Sequence, residues 1–281
     1  MNKKVIAMAV AAGLVAPLAA QAETKMSGRV QQEIVNQSAG LSFEDNGHAR
    51  LQFDYSDDSG FFGRLAMDAR VGREDAGEHR DQYVGLKVGG GKLSFGRQAG
   101  VIKNIEKDPF IATFLQMRGG AVAGGSFGSS SFIDDTIKYS MKLGGGKLGV
   151  EYVPTGSGHM GLALTGGGDL KYYVGYNTDG GSGNTNMKAG IRMPMGGMKL
   201  RVGLDDDAGT QKINLGVGMK MGGGLLDVTF ATLGADNTNP YYRVAYKKKN
   251  SSNVSTQAGL IQNGSTASND MAIGVGVTVK F

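Results

Sequence analysis

Apolar and polar residues alternate along most of the chain from Lys25 onward. The alternation is clearest in the last segment, where every second residue is apolar: Met271, Ile273, Val275, Val277, Val279 and Phe281. The segments 170–176, 198–204 and 213–219 repeat the arrangement. Since successive side chains of a strand point to opposite faces, this period predicts β-strands that each have one apolar face.

Glycine-rich or polar turns divide the alternating segments. Seven of them are short, at 57–60, 89–91, 144–146, 166–168, 196–197, 222–224 and 249–251. Glycine accepts the positive φ that tight hairpins need. Eight further connections are expected near 37–47, 73–79, 100–131, 155–158, 178–184, 206–210, 233–239 and 262–268. Together these require about sixteen strands, and an even number is typical of bacterial membrane barrels.

The polar face of these strands carries Lys and Arg interspersed with Gly. In a soluble sandwich the apolar face would form a core, but the predicted strands have about the ten residues of a tilted membrane strand. In lipid every backbone group needs a hydrogen-bond partner, which a sheet provides only when it closes on itself. The pattern therefore predicts an all-β fold, a transmembrane antiparallel β-barrel with short periplasmic turns and a polar lumen.

The chain begins with the pattern of a secretory signal peptide. Lys3 and Lys4 precede an apolar run from Val5 to Ala20, and Ala20-Gln21-Ala22 provides the small residues of a cleavage site. The run is short for a membrane-spanning anchor, which is the alternative interpretation. We expect a signal peptide over residues 1–22 and the barrel over residues 23–281.

Composition excludes several other classes of function. The formal net charge is only +5, which gives little support to nucleic-acid binding. The chain has no Cys, and its three His are scattered, so neither a metal site nor a cofactor is expected. A G-x-S-x-G match at 124–128 and a G-x-G-x-x-G match at 156–161 lack the strand–helix context that those motifs need.

Two adjoining segments carry a family resemblance. They are Arg80-Asp81-Gln82-Tyr83-Val84-Gly85-Leu86-Lys87 and Gly91-Lys92-Leu93-Ser94-Phe95-Gly96-Arg97-Gln98, accompanied by Ser27-Gly28-Arg29 and the terminal Phe281. With these features the chain resembles the sixteen-stranded, trimeric general porins of Gram-negative outer membranes. The long stretch 100–131, which does not alternate, then corresponds to the third extracellular loop, the constriction loop that folds into the lumen.

The resemblance implies roles for particular residues. Glu106 and Asp108 stand where the family has its acidic loop residues, facing a ladder of arginines to which Arg80 corresponds. One departure concerns Phe132-Ile133-Asp134-Asp135, because the family often has an arginine at the start of this strand. Arg118 is the candidate to take the role of that arginine. Strand parity also requires a bulge near Arg80 if its side chain is to face inward. The family further implies a homotrimer, with Phe281 as the signal to the barrel-assembly machinery.

Charges on the predicted inner face bear on the solutes. Arg50 and Arg64 point away from the apolar residues of their strands, and Arg29 shares that face, so all three are expected in the lumen. Basic residues outnumber acidic ones on this face. The field at a narrow constriction escapes the screening that removes it in a wide lumen. We expect passive diffusion of small polar solutes and ions, with a weak anion preference.

Two alternative functions and one surface feature stay open. A barrel enzyme, either a protease or a phospholipase, would need a catalytic constellation at the rim. A structural or adhesin barrel would need large surface loops. Asp205-Asp206-Asp207 is either a solvated turn or a site that bridges divalent cations to lipopolysaccharide, the lipid partner expected beside the outer-membrane lipid.

Overall fold

A computed structural model describes most of the chain from Ala22 to Phe281. The described residues are 22–37, 40–44, 49–68, 79–103, 105, 132–155, 158–179, 183–232, 241–262 and 271–281. They form the strands β1 Ala22–Gln37, β2 Gly40–Glu44, β3 Arg50–Asp57, β4 Phe61–Asp68, β5 His79–Val88, β6 Gly91–Gln98, β7 Ile133–Leu143, β8 Gly146–Tyr152, β9 Met160–Gly166, β10 Lys171–Asp179, β11 Asn184–Met195, β12 Met198–Asp207, β13 Thr210–Met221, β14 Gly224–Ala231, β15 Tyr241–Lys249, β16 Val254–Gln262 and β17 Met271–Lys280.

The strands form one closed antiparallel sheet. From β3 onward each strand pairs with the next in the sequence, and β1 pairs with β17 to close the ring. Both β2 and β3 pair with β1, through Gln37↔Gly40 and Arg29↔Arg50, so they are two parts of one interrupted barrel strand. The described residues thus form a barrel of sixteen strands, as the alternation predicts. None of them belongs to a helix long and apolar enough to span a membrane.

The two faces of the sheet differ as the sequence pattern requires. Outward side chains are apolar and exposed, as in β17, where Ile273 and Val275 are each 55% exposed. The opposite face lies inside the ring and is polar and tightly packed: Glu33, Asp227 and Arg243 are almost fully buried. These buried polar groups need one another as partners, because water has little access to them.

Seven tight turns connect strands at one end of the barrel, here called the short-turn rim. In the turns at Gly89-Gly90, Gly196-Gly197 and Gly222-Gly223, both glycines have positive φ, which is the geometry of a two-residue hairpin turn. All seven predicted turns lie between consecutive strands in the structure. The other end is called the long-connection rim.

Several of the predicted connections extend into strands of the structure, and two of them are instructive. The stretch 37–47 contains β2, which pairs with β1, so the connection is shorter there than predicted. Residues 205–207 belong to β12, and the turn that follows consists of Ala208 and Gly209, with φ of 52° and 87°. A polar or glycine-rich composition does not by itself tell a strand end from a turn when the strand continues through polar residues.

The aspartate triplet is therefore not a solvated turn. Asp205 is only 1% exposed and lies between Lys188 and Lys212 in the strand register. Asp206 accepts a hydrogen bond from the backbone N–H of Gly209 at 2.8 Å, which fixes the turn. The carboxylate of Asp205 faces the lumen, so a surface site for cations that includes it is ruled out.

Candidate pore lining and its charged clusters

Three arginines and one aspartate form a cluster on the inner wall. Arg80 donates from Nη1 to both carboxylate oxygens of Asp68, at 3.3 and 3.1 Å, and Arg50 Nε lies 4.0 Å from the same carboxylate. Arg29 is the register partner of Arg50 and lies within range of its charge. Asp81 also lies within electrostatic range of Arg50, so the three guanidinium groups face two carboxylates, of which Asp68 is buried. We call Arg29, Arg50, Arg80 and Asp68 the Asp68 cluster.

A bulge turns Arg80 toward this cluster. The register between β4 and β5 runs through Ala66↔Asp81 and then jumps to Met67↔His79, which leaves Arg80 as the extra residue. A bulge of this kind re-aims a side chain that strict alternation would send to the other face. The bulge that strand parity requires for Arg80 is present.

Arg64 belongs to a separate ion pair nearer the short-turn rim. Its Nε donates to Asp54 Oδ1 at 2.7 Å, and the other oxygen of that carboxylate accepts a bond from Gln52 Nε2 at 2.6 Å. Both partners are about one-third exposed. Arg64 is thus directly paired with one carboxylate, whereas Arg50 and Arg80 both lie beside Asp68.

The long connection after β6 begins against the inner wall. Lys138 Nζ donates to the carbonyl oxygen of Ala99 at 2.6 Å, and the N–H of Val101 donates to Glu151 Oε2 at 2.7 Å. The other oxygen of Glu151 lies 3.1 Å from His159 Nε2. We call residues 99–103 and 105 the loop root. Its backbone is held by side chains from β7 and β8, and His159 of the β8–β9 connection contacts the Glu151 carboxylate.

Apolar side chains of the loop root fill space that glycines leave open. Val101, Ile102 and Ile105 pack in one buried cluster with Ala163 and Tyr173. A Cβ at Gly175 would approach Ile102 Cγ2 to 2.8 Å and Ile105 Cδ1 more closely still, and one at Gly161 would reach Val101 Cγ2 at 2.9 Å. These glycines form a slot in the wall. Sequence patterning shows them only as small residues on the polar face.

The remaining predicted constriction residues lie outside the described part of the chain. These are Glu106, Asp108 and Arg118. The nearest described residue is Ile105, whose carbonyl oxygen accepts a hydrogen bond from Arg192 Nη2 at 3.4 Å. The expectation that Glu106 and Asp108 face Arg50, Arg64 and Arg80 stays a prediction.

A second charged cluster lies on the wall formed by β12, β14 and β15. Asp227 accepts hydrogen bonds from Arg201 Nη2 at 2.6 Å, from Arg243 Nη2 at 2.7 Å and from Thr229 Oγ1 at 2.9 Å. Arg243 and Asp227 are almost fully buried. The sequence places all three charges on the polar face, but only the strand register shows that one carboxylate serves two arginines.

The terminal residue Phe281 closes the seam of the barrel. Its N–H donates to the carbonyl oxygen of Gly28 at 3.1 Å, and the N–H of Gly28 donates to the carbonyl oxygen of Phe281 at 2.9 Å. The ring lies against Gly28, where a Cβ would collide with it and would come within 2.7 Å of the Arg50 carbonyl oxygen. The Ser27-Gly28-Arg29 segment and Phe281 thus meet in space.

Comparison with known proteins agrees with this geometry. A family model described as Gram-negative porin matches residues 7–281. Among solved structures, a loop-deletion mutant of OmpT, an outer membrane protein of Vibrio cholerae, superposes with a TM-score of 0.75 at 15% identity over 93% of this chain and 100% of that one.

Two further structures share the fold. A triple mutant of the Rh. blastica porin gives a TM-score of 0.74 at 14% identity, covering 92% of this chain and 100% of that chain. Salmonella typhi OmpF, solved in complex with daunomycin, gives 0.71 at 13% identity, covering 92% and 97%. No curated protein sequence matches the chain.

Proposed function

The chain belongs to the Gram-negative porin family, and we propose that its channel has a weak preference for anions. The barrel is a multi-pass protein of the outer membrane that lets small hydrophilic solutes and ions diffuse passively through its lumen. Such diffusion needs a polar inner wall and no cofactor, and solutes are sorted by pore size and by charge at the narrowest point.

The observation that carries the proposal is the Asp68 cluster. Arg29, Arg50 and Arg80 together bear three positive charges, which outnumber the carboxylates of Asp68 and Asp81 near Arg50. Solvent screens such a field over about 8–10 Å at physiological ionic strength. A pore whose walls lie within that distance of a passing ion leaves the field unscreened, so chloride is favoured over potassium.

The first prediction concerns the sign of the selectivity. In a planar bilayer with a KCl gradient, we expect a reversal potential that shows chloride to be more permeant than potassium. Arg50→Gln should lower the chloride-to-potassium permeability ratio by roughly twofold, because it removes one positive charge from the cluster. Lys249→Gln, an equal change of charge at the exposed short-turn end of β15, serves as the control. Clear potassium preference of the unaltered protein would contradict the proposal.

We further propose that residues 100–131 form the constriction loop, with Glu106 and Asp108 as its acidic side. Support comes from the loop root, which lies against the inner wall on β7, β8 and β10. Arg118 is proposed as a basic residue of the same constriction, together with Arg29, Arg50, Arg64 and Arg80. Replacing Glu106 and Asp108 by their amides should raise the chloride-to-potassium permeability ratio, whereas Arg50→Gln should lower it. An unchanged ratio would place both acids away from the ion path.

Assembly and maturation complete the proposal. We propose cleavage after Ala22, folding aided by the barrel-assembly machinery through Phe281, and a homotrimer embedded in outer-membrane lipid and lipopolysaccharide. An apolar groove on the outward face of β3 to β6, lined by Phe53, Phe61, Leu65, Val84 and Phe95, supports contact with a second copy. Conductance steps in groups of three and a mature chain starting at Glu23 are the expected observations.

The barrel is also proposed to have no enzymatic activity. The family and the fold support a channel, and the described residues contain no group of three or more His, Asp and Glu that could hold a metal ion. A preparation that conducts ions but hydrolyses neither casein nor phospholipid would agree with this. Hydrolysis that persists in a pure, conducting preparation would revive the protease or phospholipase alternative.

A further inference from the structure

One aromatic ring at the long-connection rim gathers cations from three parts of the chain. The Phe132 ring centroid lies 4.4 Å from Lys103 Nζ, 4.7 Å from Arg80 Cζ and 5.9 Å from Arg97 Cζ. Arg80 comes from the bulge in β5, Arg97 from the end of β6, and Lys103 from the loop root. All three cations lie within the distance at which the negative face of an aromatic ring attracts a positive charge.

Three like charges so close together repel one another. Carboxylates offset part of this repulsion, since Arg80 bonds to Asp68 and Arg97 bonds to Asp134 Oδ1 at 2.8 Å. The ring supplies an attraction that all three share, and it supplies it without adding a charge of its own. The Phe132 ring thus adds to the attraction that keeps these cations close to one another.

The position of the ring connects this charge to the ion path. Phe132 directly precedes β7 at the end of the long connection, and Lys103 lies near the beginning of that connection. Through Arg80 the group is continuous with the Asp68 cluster on the inner wall. An anion that enters beside this rim meets the cations around Phe132 and then the guanidinium groups of the Asp68 cluster.

We propose that Phe132 is a specificity-determining residue of the pore. Its ring concentrates Arg80, Arg97 and Lys103 at the point where the channel wall meets the constriction loop, and this raises the local preference for anions. The inference rests on the proposed function as an ion-conducting porin. The inference gives a neutral residue a role in ion selectivity. A count of the charges on the channel wall alone would give Phe132 no such role.

The test is a neutral substitution read out as ion selectivity. Phe132→Leu removes the ring and leaves the formal charge unchanged, so we expect the chloride-to-potassium permeability ratio to fall on the order of 1.5-fold. Phe132→Tyr keeps the ring and should keep the ratio. Phe62→Leu is the matched control, because Phe62 carries a cation–π contact with Lys92 at 5.1 Å. Phe62 lies six residues along β4 from Asp68, about 20 Å away, so its loss leaves the Asp68 cluster undisturbed.

A second measurement avoids any doubt about folding. Replacing Phe132 by trifluorophenylalanine keeps the shape of the ring and withdraws the negative potential from its face. The permeability ratio should fall, as with leucine, while the unfolding midpoint and the single-channel conductance stay close to those of the unaltered protein. An unchanged ratio in both the leucine and the fluorinated proteins, in bilayers where Arg80→Gln does shift it, overturns the inference.

The outcomes also separate this inference from the proposed function. Absence of any conductance in the unaltered protein contradicts the channel itself. A potassium-preferring channel in which Phe132→Leu still moves the ratio toward potassium contradicts the overall anion preference and leaves the role of Phe132 intact. If the chloride-to-potassium permeability ratio fell equally in Phe62→Leu, the loss of any aromatic ring would be enough to change it. That result would overturn the role of Phe132.

Discussion

Replacing Gly175 by alanine is expected to push the loop root toward the centre of the lumen and to lower single-channel conductance. The added Cβ would meet Ile102 at 2.8 Å, with Ile105 closer still, and both are held in a buried cluster. Overpacking of this kind costs about 1–3 kcal/mol when the neighbours cannot move. We expect the loop root to give way instead, and since the barrel wall blocks the outward direction, it should shift inward and narrow the pore. Valine at the same position should narrow it further.

The control and the rescue make this prediction specific. Gly218→Ala places the same methyl group on the inner wall where the nearest atom, Asp227 Oδ2, is 3.5 Å away. It should leave conductance unchanged. Adding Ile105→Ala to Gly175→Ala should restore conductance, because it removes the side chain closest to the new methyl group. Liposome swelling should slow more for larger sugars than for small ones. Equal conductance of the Gly175 and Gly218 variants would show that the slot does not set the pore width.

Removing the charge of Asp227 should strongly destabilise the barrel. In Asp227→Asn, Arg201 and Arg243 lose the carboxylate that both of them contact, at 2.6 and 2.7 Å. Breaking a buried ion pair from one side costs about 3–5 kcal/mol, because the remaining charge is left in a poorly hydrated place. The loss of stability should appear as a lower midpoint of unfolding by urea or by heat. Unfolding can be measured from the gel mobility of the folded barrel in detergent.

Comparison with an exposed pair and with a double variant tests the cause. Asp54→Asn disturbs the partly exposed pair with Arg64, and such pairs contribute below about 1 kcal/mol. Combining Asp227→Asn with Arg243→Met should recover part of the lost stability, since the buried charge disappears together with its partner. Equal midpoints for the Asp54 and Asp227 variants would show that burial does not determine the energetic weight of these pairs.

Alternation and glycine turns were enough to predict the barrel. In lipid the two faces of a strand meet opposite environments, so residues such as Ile273 and Val275 mark the outward face unambiguously. Double-glycine turns such as Gly222-Gly223 need positive φ at both positions, which few other residues adopt. Where a polar strand continued into its turn, as at Asp205-Asp206-Asp207, composition could not show which residues were paired.

The arrangement of the charges could be predicted only in part. Parity gives the face of a residue, but the partner of a charge depends on register and on strand tilt. Asp227 on β14 contacts Arg243 on the neighbouring β15 and Arg201 on β12, on the far side of β13, a relation that no local pattern contains. The substitution at Phe132 was visible as a departure from the family. The contact between Phe132 and Lys103 could not be predicted, because the long connection separates the two residues in the sequence.

The seam between Gly28 and Phe281 also bears on how the molecule is made. The first barrel strand pairs with β2 and β3 along one edge, and its other edge has its partner in β17, so the ring stays open until the last strand has been synthesised. Until then β1 and the growing end of the sheet present unpaired edges, which invite pairing with other chains. Contacts between such distant segments also form slowly. We therefore expect an open state before the ring closes, and in that state the unpaired edges are the part of the molecule most exposed to wrong pairing.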